Sequence, residues 1–101
     1  MVMYSKKKLT VQEITKLSFP VFKKNGVIKA GLFGSAARGE MKSTSDIDFL
    51  ITMKKGTSLL EMSHLRNQLI KNLQRDVNLV EYSKIRPRIK SQILQEEVQI
   101  I

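Results

Sequence analysis

The chain has 101 residues, 42% hydrophobic and 27% charged, which gives room for one modest core and is too apolar a mixture for a disordered chain. It has no cysteine, which excludes disulfides and thiolate metal sites, so any metal must take oxygen or histidine ligands. Eighteen Lys and Arg against nine Asp and Glu give a formal net charge of +9, which draws anionic partners (nucleotides, nucleic acid or an acidic protein) without choosing among them.

The basic start "MVMYSKKK" runs to Leu9 without periodicity, so residues 1–9 read as a leader within a single domain covering 1–101. Thr10, Gln12, Glu13 and Lys16 interrupt any apolar run of signal-peptide or membrane-span length; a cytoplasmic protein away from the membrane is expected. "TVQE", Thr10 to Glu13, fits a capping box, and Val11, Ile14, Leu17 and Val21 follow at helical spacing. Pro20 lacks an N–H and crowds the Lys16 carbonyl, which predicts a kink or break. Asn25-Gly26 closes this segment, with Gly26 suited to a left-handed cap.

"VIKAGLFG" reads as a first strand ending at Gly34, and "GSAARGE" has room for one helical turn. After the polar "MKSTS", "DIDFLITM" reads as a second strand with Ile47, Phe49 and Ile51 on one face. "SLLE", Ser58 to Glu61, offers another capping box, and Leu59, Met62, Leu65, Leu69 and Leu73 then form a helical face expected in the core. "DVNLVEY" is a third strand. A last helix follows with Pro87 in its first turn and Ile89, Ile93, Leu94 and Val98 as its stripe. The order helix, strand, strand, helix, strand, helix gives a two-layer α/β (α+β) arrangement, a small sheet covered by helices. The short link from Gly34 to Ser45 leaves no room for a crossover helix, so the first two strands should be antiparallel neighbours.

Asp46 and Asp48 stand at i and i+2, which on a strand puts both on one face with Cα atoms roughly 6.5–7 Å apart. Such a pair persists where water solvates both acids or where a cation neutralises them. Gly34-Ser35 allows a sharp turn and close approach of a ligand, and if Ser35 opens a helical turn its free N–H groups make an anion site. A plain hairpin corner is the other reading. Phosphate cradle and carboxylate pair together suit a nucleoside triphosphate with Mg²⁺.

"GS", ten residues, then "DID" resembles the Gly-Ser…Asp-x-Asp signature of the DNA polymerase β-like nucleotidyltransferase superfamily. "FGSAARGE…SDIDFLI" resembles in particular its minimal nucleotidyltransferase (MNT) family, the antitoxin halves of two-gene modules whose toxin is a HEPN ribonuclease. The likeness runs from about Val27 to Val98 and includes "IRPRIKSQILQEE". It implies a nucleotidyltransferase fold with a small mixed sheet. By the same resemblance Gly34 and Ser35 hold the β- and γ-phosphates, and Asp46 and Asp48 ligate Mg²⁺, one ion with the triphosphate and a second at the attacking hydroxyl. Arg38 matches an arginine that either contacts phosphate or braces the loop. The implied reaction moves AMP from ATP to a hydroxyl, a tyrosine of the HEPN toxin.

The family carries a third carboxylate in a "VDLV"-like stretch where this chain has "VNLV", so Asn78 fills that position. An amide oxygen can touch Mg²⁺ but cannot take a proton, and general-base help is worth about 10²–10⁴-fold. The alternative is therefore a catalytically weakened antitoxin that acts by binding. Asp76 shares the face of Asn78 but is displaced along the strand, and Glu81 alternates away. His64 falls off the leucine face of its helix. Lys84, Arg86, Arg88 and Lys90 suit nucleotide, RNA, an acidic toxin surface or plain solvent. Tyr4 and Tyr82 could stack a base, or Tyr82 could pack at the strand edge. An RNA-binding protein is a third reading, but no RNA-module motif supports it.

Overall fold

Thr10 opens the first helix as its sequence predicts: its hydroxyl accepts from the Glu13 N–H, and the Glu13 carboxylate accepts from the Thr10 N–H. The computed structural model describes residues 9–40 and 46–101. In chain order its elements are α1 (Val11–Lys24), β1 (Lys29–Phe33), the one-turn α2 (Gly34–Ala37) and β2 (Ile47–Thr52). After these come α3 (Leu59–Leu73), β3 (Val77–Glu81), a 3₁₀ turn (Tyr82–Lys84), α4 (Pro87–Glu96) and β4 (Val98–Gln99). Among the described residues no helix is long and apolar enough to cross a membrane.

The strands form one mixed sheet in the order β3-β2-β1-β4. β1 and β2 are antiparallel, as the short link requires, whereas β2 and β3 are parallel and joined by the α3 crossover. α1 and α3 cover one face. Ile47, Phe49 and Ile51 point into that layer and meet Ile14 and Phe22 of α1 and Leu65 and Leu69 of α3, all fully buried. The Phe22 and Phe49 rings meet edge to face at 5.1 Å. Burying a side chain of this size contributes roughly 1.5–3 kcal/mol. Leu50, on the opposite sheet face, is also fully buried yet lies outside this cluster.

Several expectations change. Of the kink or break expected at Pro20 the break does not occur, since α1 runs through it to Lys24. Pro20 is on the exposed side, where water can take the freed Lys16 carbonyl, while buried Val21 and Phe22 hold the last turn to the core. Leu59 is not core: it is 86% exposed, and the stripe is buried only at Leu65, Leu69 and Leu73. The last helix stops at Glu96, and Val98 leaves the predicted stripe to pair with Leu32 of β1. A backbone partner at the β1 edge outweighs another helical turn there. The leader falls outside the described residues except Leu9, which packs against the core.

Replacing Phe49 by Ala should cost about 3–5 kcal/mol in urea unfolding, because the cavity opens where two helices and the sheet converge. Ile89→Ala, on a helix with no buried residue, should change stability by no more than about 0.5 kcal/mol.

Candidate active site

The β1–β2 register sets the geometry. It pairs Phe33, the last residue of β1, with Asp48, so the chain turns into Gly34 level with that carboxylate. Gly34 has φ +75°, and a Cβ placed on it would lie 2.6 Å from Asp48 Oδ2. Only glycine permits both the left-handed turn and this approach. Ser35 follows, half-buried in the first turn of α2, where the opening N–H groups have no carbonyl four residues back within the helix. The Glu40 N–H donates to the Ser35 carbonyl at 2.9 Å, and the Arg38 N–H to the Gly34 carbonyl at 3.2 Å, which fixes the corner.

The parallel β2–β3 register then places Asn78 beside Asp48. Its Nδ2 donates to Asp48 Oδ1 at 2.9 Å. Asp48 is thus flanked by Gly34 at one oxygen and by an amide at the other. Asp46 lies one residue before the ladder begins and is exposed; the Ile47 N–H donates to the Asp76 carbonyl at 2.9 Å. Among the described residues no group of three or more acidic, histidine or cysteine side chains is arranged for a metal. The acid pair still fits Mg²⁺ by its donors, since that ion favours hard oxygens, retains several waters and needs only one or two carboxylates beside substrate phosphates.

A cleft of about 760 Å³ opens from Asp48 and Asn78 along β3, walled by Val80 and by Leu59, Met62 and Arg66 of α3. Sequence reasoning missed Arg66. Its Nε donates to the Val77 carbonyl at 2.8 Å, which anchors it at the cleft wall, and a lone arginine on a helix gave no signal.

Arg38 is a brace. Its Nε donates to Glu40 at 3.2 Å and its Nη1 to Glu96 of α4 at 3.1 Å. Donating to Glu40, and next to Glu96, raises its pKa further above an already basic value. These two bonds use Nε and Nη1 of an exposed guanidinium. Tyr82 does not stack outward: its hydroxyl donates to Glu97, and Lys29 Nζ sits 4.5 Å from its ring centroid. Burial first, and Glu97 second, pushes the Tyr82 pKa far above the usual phenol range. Asp76 and His64 are exposed, Glu81 pairs with Lys84 at 3.5 Å, and Lys84, Arg86, Arg88 and Lys90 are all exposed. Tyr4 lies outside the described residues.

A family profile described as "Polymerase beta, Nucleotidyltransferase" matches residues 6–101. A candidate protein adenylyltransferase of Methanocaldococcus jannaschii is 39% identical over 93 residues, covering 92% of this chain and all of that one. The protein adenylyltransferase MntA of Thermococcus cleftensis is 37% identical over 75 residues, 74% of this chain and 76% of its own. Among solved structures, a candidate minimal nucleotidyltransferase superimposes with a TM-score of 0.75 at 28% identity, covering 87% of this chain and 90% of that one. The fold also matches a chain in the complex of tri-AMPylated Shewanella oneidensis HEPN toxin with MNT antitoxin, with a TM-score of 0.67 at 20% identity over 89% and 71% of the two chains. The expected fold is thereby borne out.

Changing Asn78 to Asp should replace a hydrogen bond by two facing carboxylates. The metal-free protein should lose about 1 kcal/mol at neutral pH. Repulsion raises the carboxyl pKa values above their unfolded ones, so the loss should shrink as pH falls. It should also shrink when MgCl₂ is added, as thermal melts with and without the salt will show.

Proposed function

This chain belongs to the Polymerase beta nucleotidyltransferase family, and we propose that it transfers AMP from ATP to a tyrosine hydroxyl of a HEPN-type toxin, acting as an antitoxin. The observation that supports this most is the seat of Gly34 against Asp48, which brings the backbone corner and an acid to the same place. Gly34 and Ser35 receive the β- and γ-phosphates through N–H groups and a hydroxyl. Asp46 and Asp48 hold Mg²⁺, as one ion or two, which supplies neutralisation of the triphosphate and Lewis-acid polarisation when bound. Arg38 keeps the corner closed by tying it to α4.

The acceptor oxygen attacks the α-phosphorus; the new O–P bond forms as the bridge to the β-phosphate breaks, and pyrophosphate departs with that electron pair. Asn78 has no basic oxygen for the hydroxyl proton, which passes to water. The cleft beside β3 gives the acceptor its approach.

A second reading rests on the Asn78–Asp48 hydrogen bond, which ties up the acid through a group that cannot act as base. In that reading the protein binds nucleotide and silences its partner chiefly by covering it.

The test is incubation with α-labelled ATP, MgCl₂ and a HEPN-type toxin. Label should appear on a toxin tyrosine and vanish with Asp46→Asn plus Asp48→Asn. Asn78→Asp should raise the rate about 10²-fold or more. Neutralisation of the toxin that survives the double change would favour the binding reading, and label that survives it would sink the site assignment.

A further inference from the structure

At the opposite end of the sheet, two similar turns meet. "KKNG", Lys23 to Gly26, ends α1, and "KKG", Lys54 to Gly56, follows β2. Both glycines have left-handed backbone, φ +69° at Gly26 and +88° at Gly56. The Ile28 N–H donates to the Thr52 carbonyl at 2.9 Å, which holds the two turns together. Lys54 crosses Gly26 so closely that a Cβ there would lie 3.2 Å from Lys54 Cε. The result is a recess of about 490 Å³ walled by Lys23, Lys24, Lys54 and Lys55, with Glu61 its only carboxylate.

Among the described residues none of the four lysines has a carboxylate within ion-pair distance. Glu61 instead caps its own helix start, where its Oε1 accepts from the Ser58 hydroxyl at 3.3 Å. The α1 carbonyls beneath are already satisfied by the N–H groups of Asn25, Gly26 and Val27 and by the Asn25 side chain. Lys23 Nζ lies 5.6 Å from the Phe19 ring centroid, and among the described residues no carboxylate pairs with Lys24, Lys54 or Lys55. A second recess of about 530 Å³ adjoins it, sharing Asn25 and Glu61, and is lined by Met53, Leu60, His64 and Asn67. One half is thus cationic, the other apolar with amide and imidazole groups at hand, and each lies in the size range of small-molecule sites.

We infer that these joined recesses bind a nucleoside polyphosphate, phosphates on the four lysines and ring system against Met53 and Leu60, independently of the acid pair and of divalent metal. The site stands on its own evidence and does not depend on the proposed transfer reaction.

The test is binding of ATP, tripolyphosphate and single-stranded oligouridylate to the whole protein in EDTA, followed by calorimetry or a fluorescent nucleotide. ATP should bind without metal. Lys54→Ala plus Lys55→Ala, both at exposed positions, should weaken it about tenfold or more. Tripolyphosphate should bind more weakly than ATP, and Leu60→Asp should bring ATP down to the tripolyphosphate level. No binding in EDTA, indifference to the lysine changes, equal affinity for tripolyphosphate, or tighter binding of oligouridylate would each overturn the proposal.

Discussion

The site depends on one contact: backbone at Gly34 lying where any side chain would strike the Asp48 carboxylate. That contact follows from the pairing of Phe33 with Asp48, and the register is strongly specified because β2 is apolar on the core side. A one-residue slip would turn Phe49 outward and Asp48 into the layer beneath α1 and α3. The same burial that stabilises the sheet thus fixes how near the corner stands to the acid. Stability and chemistry share a constraint here, and the glycine is where they meet.

Asn78 is the point at which this chain departs from the pattern it resembles. In the parallel ladder its side chain stands level with Asp48, where a carboxylate would add charge for a cation and a base for a proton. The amide gives neither, but it stabilises Asp48 by donating to it when no cation is present. A third acid would leave three negative groups crowded without metal. The amide therefore leaves the metal-free acid with a donor where a carboxylate would repel it.

Much of this was legible in the sequence because short-range rules and long-range packing agreed. The Thr10 cap, the Gly26 turn, the one-turn helix after Gly34 and the antiparallel start of the sheet each rest on local chemistry that nothing distant opposes. The failures lie where tertiary context decides. Leu59 keeps the helical period of its neighbours, but the first turn of α3 presents it to solvent. Val98 fits a helical stripe equally well, and only the unpaired edge of β1 converts it to a strand. The proximity of Gly34 to Asp48 could be suspected from spacing, whereas the Arg38 brace to Glu96, 58 residues away, could not. Arg66 gave no motif, and the lysine-glycine segments read only as turns, with nothing to say that they meet.

The charge layout follows from the same topology. β2 begins beside two aspartates and ends before two lysines, so its length separates the clusters. Six residues at about 3.3 Å each make roughly 20 Å, more than twice the screening length at physiological salt. The acids and the lysines therefore cannot neutralise one another through solvent. Each cluster meets its surroundings separately, the acids beside the Gly34 corner and the lysines around the recess at Gly26. The two aspartates and four lysines together carry only +2, so most of the net charge of +9 lies outside both clusters, and the two ends of β2 differ in sign by local placement rather than by overall balance.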